Sequence, residues 1–352
     1  PDLWRALSVL AVLERAVSLD DWGKAATMSA ERLEGVSRRA LSLGLVRAES
    51  ALGALRFALT HPLYPPLLRG QLAESELKTR YRAVMPVALD AFECSRWARL
   101  GDSPEALPLT RVALKAARSR SAWGEILQLC DAIQHLESDR TDLQFERGEA
   151  LFRLGRFADA LDVLKPLESA PAAELTCLVL ARLGRDREGF AFSSQWLERF
   201  DAHTNFRLRY FWACFQARLG DETKSATWIA WLLRTAATPA QTSTALDALD
   251  WHSKIYAPHQ PMQRLTRNLE GLAAFKTADL PNSISEVNHH IFIAENYVAL
   301  REFDQALESL QTAQSLMQRT SNIDTLTIYH LHLGLWALES GKPEAAQRSL
   351  LK

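Results

Sequence analysis

The chain has 352 residues, of which 41 are Lys or Arg and 42 are Asp or Glu, so its formal net charge is −1 at pH 7. This balance excludes a chain-wide polyanion binder, which needs a basic excess, and the apolar content of 47% excludes global disorder. Four Cys are too few for a disulfide framework and indicate buried thiols in a reducing cytoplasm.

The first part of the chain predicts three helices. Residues 2–14 carry Leu and Ala at helical spacing, which predicts one buried helix face. Asp20 and Asp21 are predicted to cap a second helix that ends at Ala26, because carboxylates accept hydrogen bonds from the free amides of a first turn. Ser29 opens a third helix, and Gly44 suits a left-handed stop after it.

Two short strand-like segments follow, at residues 45–48 and 54–59, with a loop between them. Three helices and then a β-hairpin is the order of a winged helix, so residues 1–73 are predicted to form a winged-helix-like domain. A further helical pattern extends from Glu74 to Phe92. We therefore predict a connecting helix at residues 74–90.

A recurring tetrapeptide, x-Arg-Leu-Gly, dominates the rest of the chain. It places arginines at Arg99, Arg153, Arg182 and Arg218, each near the end of a helical pattern. The last three glycines are 29 and 36 residues apart, which brackets the ~34-residue period of tetratricopeptide repeats. Residues 91–352 are therefore predicted to form a tetratricopeptide-repeat-like α-solenoid, and the whole chain is predicted to be mainly α-helical.

The clearest repeat spans residues 143–167. Gly148 is the small residue of its first helix, Leu151 fills the large-residue position, and Gly155 forms the turn. Leu164 lies on the second helix, and the small residue is expected where the two helices touch closely. Cys94 and Cys177 occupy the same small-residue position in other copies, together with Ala294 and Gly334.

Residues 238–282 interrupt this rhythm. Prolines bracket two helical patterns that lack the small and large signature residues, namely at Pro239, Pro258, Pro261 and Pro281. Two interpretations are open: a degenerate repeat, or an inserted functional element.

A winged helix followed directly by such repeats resembles the C-terminal arm of bacterial STAND signal-transduction ATPases, which include relatives of the maltose-responsive transcription activator. The residues that carry the resemblance are Leu55–Leu63, which look like the family's strand-end R-F-x-H-x-L segment. His61 then lies where plant and animal relatives have the histidine of Met-His-Asp, which senses ADP, although Thr60 and Pro62 replace its neighbours. A histidine that is satisfied locally in a turn is the alternative interpretation.

The resemblance implies ATP or ADP on an upstream nucleotide-binding domain. This chain lacks G-x-x-x-x-G-K-[ST], the loop that holds phosphates, so we expect no cofactor here and read the chain as part of a longer protein. No catalytic motif or metal-ligand spacing occurs either. We therefore expect neither enzymatic activity nor a metal site.

Two sets of side chains are candidates for a partner or effector groove. The four repeat arginines could form a column that binds a carboxylate-rich peptide or a phosphorylated ligand, because Arg binds these anions bidentately. Their alternative role is to complement the negative end of a helix. Trp228 and Trp231, three residues apart on one helix face, are candidates for an aromatic groove or else pack in the core.

Three functions are therefore considered. The first is a non-catalytic regulatory and interaction arm of a signalling ATPase or transcription regulator, which binds a protein partner or a small anionic effector. The second is a DNA-binding winged helix that uses Arg32, Arg38 and Arg39, but the acidic Glu31 and Glu34 at the start of that helix disfavour it. The third is a free-standing adaptor that binds peptides. No apolar run reaches the ~20 residues of a membrane span, so a cytoplasmic protein is expected.

Overall fold

The computed structural model describes residues 1–51, 54–137, 142–199, 206–277, 284–317 and 323–351. The chain divides into two units. The first unit comprises Pro1–Arg120 and Gln128–Asp139, and the second comprises Ser121–Leu127 and Arg140–Lys352. The domain limits expected from the sequence, 1–73, 74–90 and 91–352, remain predictions. Within the described ranges, no helix is both long and apolar enough to cross a bilayer.

The first unit contains a three-stranded antiparallel sheet in the order β1-β3-β2. Its strands are β1 (Val17–Ser18), β2 (Val46–Ala51) and β3 (Ala54–Leu59). Its helices are α1 (Asp2–Leu13), α2 (Leu19–Ala26), α3 (Ala30–Ser42), α4 (Tyr64–Gly70), α5 (Glu74–Val84), a 3-10 helix (Met85–Val87), α6 (Ala91–Leu100) and α7 (Ala106–Ser119). Helix α8 (Trp123–Leu136) has residues in both units. The predicted order of three helices and then a hairpin is confirmed.

The core of the first unit forms around Trp22, whose side chain is fully buried. Its ring centroid lies 5.7 Å from that of Phe57 in β3, and its Nε1–H donates a hydrogen bond of 2.9 Å to the backbone oxygen of Ala6 in α1. Val17 of β1 pairs with Phe57 in the sheet. A strand as short as β1 produces no alternating pattern, which is why the sequence did not predict it.

The predicted cap of α2 is wrong. The capping residue is Ser18, whose Oγ accepts a hydrogen bond of 3.0 Å from the amide of Asp21, and that hydroxyl donates in turn to the Asp21 carboxylate at 2.8 Å. The helix begins at Leu19, so Asp20 already lies within it and pairs with Lys24 at 2.6 Å. A carboxylate inside the first turn cannot take the place of the residue before it.

The continuous helix expected from Glu74 to Phe92 is also wrong. Helix α5 ends at Val84, and α6 begins after Asp90. Pro86 has no amide hydrogen to continue a helix, and the Asp90 carboxylate accepts a hydrogen bond of 2.8 Å from the amide of Glu93. The N-cap of α6 therefore fixes where the first repeat-like helix starts.

The second unit is a series of antiparallel helix pairs. The helices of these pairs are α9 (Asp142–Arg153) and α10 (Phe157–Leu164), α11 (Ala170–Arg182) and α12 (Asp186–Leu197), α13 (Phe206–Arg218) and α14 (Glu222–Thr235), α15 (Pro239–Tyr256) and α16 (Pro261–Thr277), α17 (Ile284–Ala299) and α18 (Phe303–Met317), and α19 (Ile323–Glu339) and α20 (Pro343–Leu350). The predicted α-solenoid of repeat-like pairs is thus confirmed. It includes the stretch 238–282, where α15 and α16 continue the series, although Pro281 lies outside the described residues.

The small-residue positions of the repeats are where paired helices touch. A Cβ at Gly148 would lie 2.5 Å from Leu164 of the second helix, and a Cβ at Gly334 would lie 2.7 Å from Leu350. Real side chains do not approach so closely, so these positions accept only glycine without rearrangement of the leucine. The expectation that the small residues lie where two helices touch closely is confirmed at these two positions.

The predicted left-handed stop at Gly44 is confirmed, with a φ of 68°, and the repeat glycines behave as predicted after α9 but differently after α6. Gly155 closes the turn after α9 with a φ of 75°, in the left-handed region that favours glycine. After α6 the positive φ, 47°, belongs to Asp102 instead of Gly101. A Cβ at Gly101 would lie 2.8 Å from the Arg82 side chain, so this glycine is needed for close packing.

Candidate functional site

The last turn of α6 borders a pocket in the first unit. Phe92, Arg96 and Arg99 follow one another at helical spacing and share one face of α6. The pocket has a volume of about 370 Å³ and is lined by Phe92, Arg96, Arg99, Leu100 and Gln128. It combines two guanidinium groups with an aromatic ring and an aliphatic side chain.

Arg99 has no carboxylate partner among the described residues. Its Nε donates one long hydrogen bond, 3.4 Å, to the backbone oxygen of Ser95. Burial lowers the pKa of Arg99, and the neighbouring Arg96 lowers it further. Arg96 itself is exposed and lies 3.7 Å from Glu14. An anion in this pocket would offset the burial and repulsion that now act on the Arg99 guanidinium.

Arg153, the second arginine of the predicted column, is engaged within its own unit. Its guanidinium lies 3.1 Å from the carboxylate of Glu149, one turn earlier on α9. The same group lies 5.3 Å from the ring centroid of Trp123, within the range of a cation–π contact. These contacts restrain the orientation of the side chain.

Arg218 and Arg182 also have interactions inside the second unit. The Arg218 guanidinium lies 3.2 Å from the carboxylate of Asp186 and 5.0 Å from the ring of Trp251. The positive charge of Arg182 acts on the buried Asp247 carboxylate and opposes the effect of burial on its pKa. The anion-binding role of the four arginines stays a prediction, and Arg99 is the member of the set without a carboxylate beside it in the described ranges.

Trp228 and Trp231 lie on α14 and enclose another arginine. The guanidinium of Arg209, on α13, is 4.9 Å from the ring of Trp228 and 4.8 Å from that of Trp231. Both tryptophans also pack against a core that includes Ile229 and Leu232. Both tryptophans are partly buried, and their role in an aromatic groove stays a prediction.

His61 lies in the turn after β3 and is exposed. Its Nδ1 accepts a hydrogen bond of 3.2 Å from the amide of Leu63, and its ring centroid is 5.8 Å from that of Tyr64. Both contacts are local and match the alternative of a histidine satisfied within a turn. Nucleotide sensing by His61 stays a prediction.

The arginines that a DNA-binding helix would use are largely engaged by acids. Arg32 lies 2.6 Å from the carboxylate of Asp2, and Arg38 lies 3.1 Å from that of Glu34. A side chain held by a carboxylate must break that contact before it can bind a phosphate or a base. This arrangement gives the DNA-binding alternative no support.

The sequence did not predict a buried polar cluster that joins α15, α16, α17 and α19. Lys254 lies 3.2 Å from Asp250 on its own helix and 2.9 Å from Glu295 on α17. Its ammonium group is also 3.7 Å from the ring centroid of Phe292. The members of the buried polar cluster are Ser243, Asp250, Lys254, Asn268, His289, Glu295 and His332.

Glu295 is the acidic centre of the cluster. Burial by itself would raise the pKa of its carboxyl, but hydrogen bonds from His332 and Lys254 outweigh burial and lower the pKa to about 2. The His332 Nε2 lies 3.3 Å from the same carboxylate. Glu295 is therefore ionised, and it receives contacts from Lys254 on α15 and His332 on α19.

His289 occupies the other end of the cluster. Its Nε2 is 2.8 Å from the hydroxyl of Ser243, and its Nδ1 is 3.5 Å from the side-chain oxygen of Asn268. Burial lowers the pKa of His289 to about 4, although the nearby Asp250 carboxylate opposes the shift. The ring is thus neutral at physiological pH, and it packs against Gly271, where a Cβ would lie 2.7 Å from its Cε1.

A signal for this cluster exists in the sequence. Ser243, Asp250, Asn268 and His289 are polar residues at positions that the helix periodicity places on buried faces. Three of these residues, Ser243, Asp250 and Asn268, lie within residues 238–282, where the small and large signature residues are missing. The buried polar cluster thus joins the three helix pairs that begin with α15, α17 and α19.

Metal binding and disulfide formation find no support in the described part of the chain. No group of three His, Cys, Asp or Glu side chains there could hold a metal ion. None of the four cysteines forms a disulfide with a described residue. Cys130 and Cys177 are buried and Cys94 and Cys214 are partly exposed, so the expectation of four buried thiols holds for two of them.

No protein-family model and no curated protein sequence matches the chain. The Rap protein, solved in complex with competence and sporulation factor, is similar in structure with a TM-score of 0.53 and 16% identity over 78% of this chain and 85% of that one. A tetratricopeptide repeat protein from Parabacteroides merdae has a TM-score of 0.52 and 13% identity over 77% of this chain and 93% of that one.

A STAND protein with a tetratricopeptide repeat sensor, from Pyrococcus horikoshii, matches 99% of this chain and 58% of its own length, with a TM-score of 0.41 and 12% identity. This chain therefore spans less than two thirds of that protein, and the similarity is too low to carry an argument about function. The two structures with higher TM-scores show that the chain has the helix-pair fold of tetratricopeptide repeat proteins.

Proposed function

We propose that the chain is a non-catalytic regulatory and interaction arm of a signal-transduction ATPase or a transcription regulator. The helices and three-stranded sheet of the first unit support its assignment as a winged helix next to an upstream domain that binds ATP or ADP. The helix pairs support an interaction role, since stacked pairs present extended binding surfaces. The sequence has no phosphate-binding loop motif, which supports our proposal that nucleotide binds to another domain.

The single observation that carries an effector-binding role is the pocket beside Arg99. Its volume of about 370 Å³ lies within the range of small-molecule sites. Arg99 is half-buried, is next to another arginine and has no carboxylate partner among the described residues. A ligand with a carboxylate or phosphate for the guanidinium groups and an apolar part for Phe92 and Leu100 would satisfy each side of this pocket.

A protein of similar fold has been solved with a bound factor. The Rap protein is solved in complex with competence and sporulation factor, and we propose that this chain also binds an effector. The chemistry of its pocket identifies a small anion as the ligand class.

The test uses the intact chain and three probes of increasing apolar character: inorganic phosphate, acetate and benzoate. We expect benzoate at millimolar concentration to raise the melting temperature of the wild-type chain and to give measurable heat in calorimetry. Arg99→Gln should abolish both effects, because the half-buried cation is what the carboxylate contacts.

Arg5→Gln is the matched control. Arg5 is exposed in the same unit and does not line the pocket, so the variant loses the same charge without changing the proposed site. Equal responses of the wild type and Arg99→Gln, or the absence of any response to the three anions, would contradict an effector site at this pocket.

A further inference from the structure

Arg209 and two tryptophans form a second site-like arrangement, in the second unit. The ring centroids of Trp228 and Trp231 are 5.7 Å apart with an interplanar angle of 65°. The guanidinium of Arg209 sits in the corner between them, 4.9 Å from one ring and 4.8 Å from the other. We name these three residues the Arg209 corner.

The guanidinium of the Arg209 corner is held by rings alone. Among the described residues it has no hydrogen-bond or ion-pair partner, and its Nε is buried without an acceptor. Burial lowers the pKa of Arg209, and no carboxylate opposes that shift. Arg153 and Arg218, which also lie over tryptophan rings, each have an acid as well. Arg209 therefore keeps its planar fork of donors available.

The aromatic rings extend this surface across three helices. Trp228 packs edge-on against Trp212, with ring centroids 5.3 Å apart, and Trp212 packs against Phe190 at 5.4 Å. The indole N–H of Trp212 donates to the hydroxyl of Ser194 at 2.8 Å. Within the described ranges, the indole N–H groups of Trp228 and Trp231 have no acceptor. Two ring donors thus accompany the guanidinium.

The charge around the corner favours an anion. Arg234 follows Trp231 by three residues on the same helix face, is exposed, and forms no ion pair with any described residue. The chain as a whole carries a net charge of −1. The two positive charges of Arg209 and Arg234, which have no carboxylate partner among the described residues, are therefore a local feature. Trp and Arg at half-exposed positions are also the residue types that dominate the energetics of protein interfaces.

We propose that the Arg209 corner binds an acidic side chain from a peptide segment of a protein partner. The carboxylate accepts hydrogen bonds from the guanidinium fork, and apolar residues beside it pack on the exposed parts of Trp228 and Trp231. The ring contacts hold the guanidinium in place before binding, so little rotamer entropy remains to be lost. This site extends the proposed interaction role and is independent of the pocket beside Arg99.

The test measures binding of a short, acetylated and amidated peptide of alternating Leu and Glu to the full chain. A matched peptide with Gln in place of Glu and a short single-stranded oligouridine are the comparison probes. We expect the Glu peptide to bind more tightly than either. Arg209→Gln should weaken that binding at least about tenfold, the loss expected for a charge-assisted hydrogen bond.

Two further variants test whether binding needs the planar donors of the Arg209 guanidinium or only a positive charge. Arg209→Lys keeps the charge but lacks the planar donors, so it should bind almost as weakly as Arg209→Gln. Arg207→Gln removes an exposed arginine two residues away, which lies near Glu174, and should bind like the wild type. Arg209→Lys and Arg207→Gln should both respond to anions at the pocket beside Arg99 as the wild type does. The proposal for the Arg209 corner can therefore be contradicted without contradicting the proposal for that pocket, and the reverse.

A second measurement does not depend on the variants. The indole N–H resonances of Trp228 and Trp231, assigned with Trp→Phe substitutions, should shift when the Glu peptide is added to the wild-type chain. Several results would overturn the proposal: no binding of the Glu peptide, binding unchanged in Arg209→Gln, an equal loss in Arg207→Gln, stationary indole resonances, or Arg209-dependent binding of oligouridine in preference to the peptide.

Discussion

The ammonium group of Lys254 lies 2.9 Å from the carboxylate of Glu295, and this ion pair joins α15 to α17 across 41 positions of the chain. Lys254 is mostly buried, with 13% of its side chain exposed, and it also lies 3.2 Å from the fully buried Asp250. Lys254 thus contacts two acids of the second unit, and Glu295 also has His332 at 3.3 Å and Arg264 at 3.9 Å. Charges in such a setting are stable only while each has its partner.

Lys254→Ala should therefore destabilise the second unit by about 3 kcal/mol, because it leaves the fully buried Asp250 without its cation. Glu295 keeps its contacts with His332 and Arg264. Urea denaturation of the full chain, followed by tryptophan fluorescence and circular dichroism, measures the change. The control is Lys224→Ala, which removes an exposed pair with Asp221 and should cost less than about 1 kcal/mol. Equal losses in the two variants would show that the buried ion pairs contribute little.

The buried His289 makes stability depend on pH. Its pKa in the folded chain, about 4, lies below the ordinary value of 6.5, so between these pH values the unfolded chain binds more protons. The stability associated with the neutral ring is complete above pH 6.5 and is lost as the pH falls to about 4.

His289→Gln should remove this dependence. Between the two pKa values, the free energy of unfolding of the wild-type chain should fall more steeply than that of the variant, by at most about 1.4 kcal/mol per pH unit. Urea denaturation at a series of pH values measures both slopes. Identical slopes would mean that His289 is protonated equally in the folded and unfolded chains.

Gly148→Ala should destabilise the first helix pair of the second unit. The added Cβ would lie 2.5 Å from Leu164, and overpacking of this kind costs about 1–3 kcal/mol. Gly124→Ala is the control, because nothing lies within 4 Å of its Cβ position, and its effect should stay within about 0.5 kcal/mol. Denaturation midpoints compare the two, and a neutral Gly148→Ala would mean that Leu164 moves aside at no cost.

The cap of α2 can be identified by comparing two substitutions. Ser18→Ala removes the hydroxyl that accepts from the Asp21 amide and should cost about 1 kcal/mol. Asp20→Ala removes only an exposed ion pair with Lys24 and should cost less than about 0.5 kcal/mol. Thermal unfolding of the first unit gives the order, and a larger loss for Asp20→Ala would restore the cap that the sequence suggested.

Much of the fold could be predicted because its determinants are close together in sequence. Gly155 terminates α9 through its own left-handed φ of 75°, and the spacing from Gly148 to Leu164 covers a single helix pair. Such features repeat along the chain and identify the helix pairs without knowledge of distant contacts. The same locality explains the failure at Ser18, where a boundary shifted by two residues changes which side chain is the cap.

The sequence by itself determined that the chain is mainly helical, that a hairpin follows its first three helices, and that glycine and small residues set the turns and close contacts of its repeats. Tertiary structure decided which of the repeat arginines have partners on other helices. Arg99, Arg153 and Arg218 share one motif, yet Arg153 and Arg218 face acids and tryptophans while Arg99 faces a pocket. Their partners lie on other helices or depend on how a side chain turns in the packed unit, and hydrophobic periodicity carries no information on such pairings.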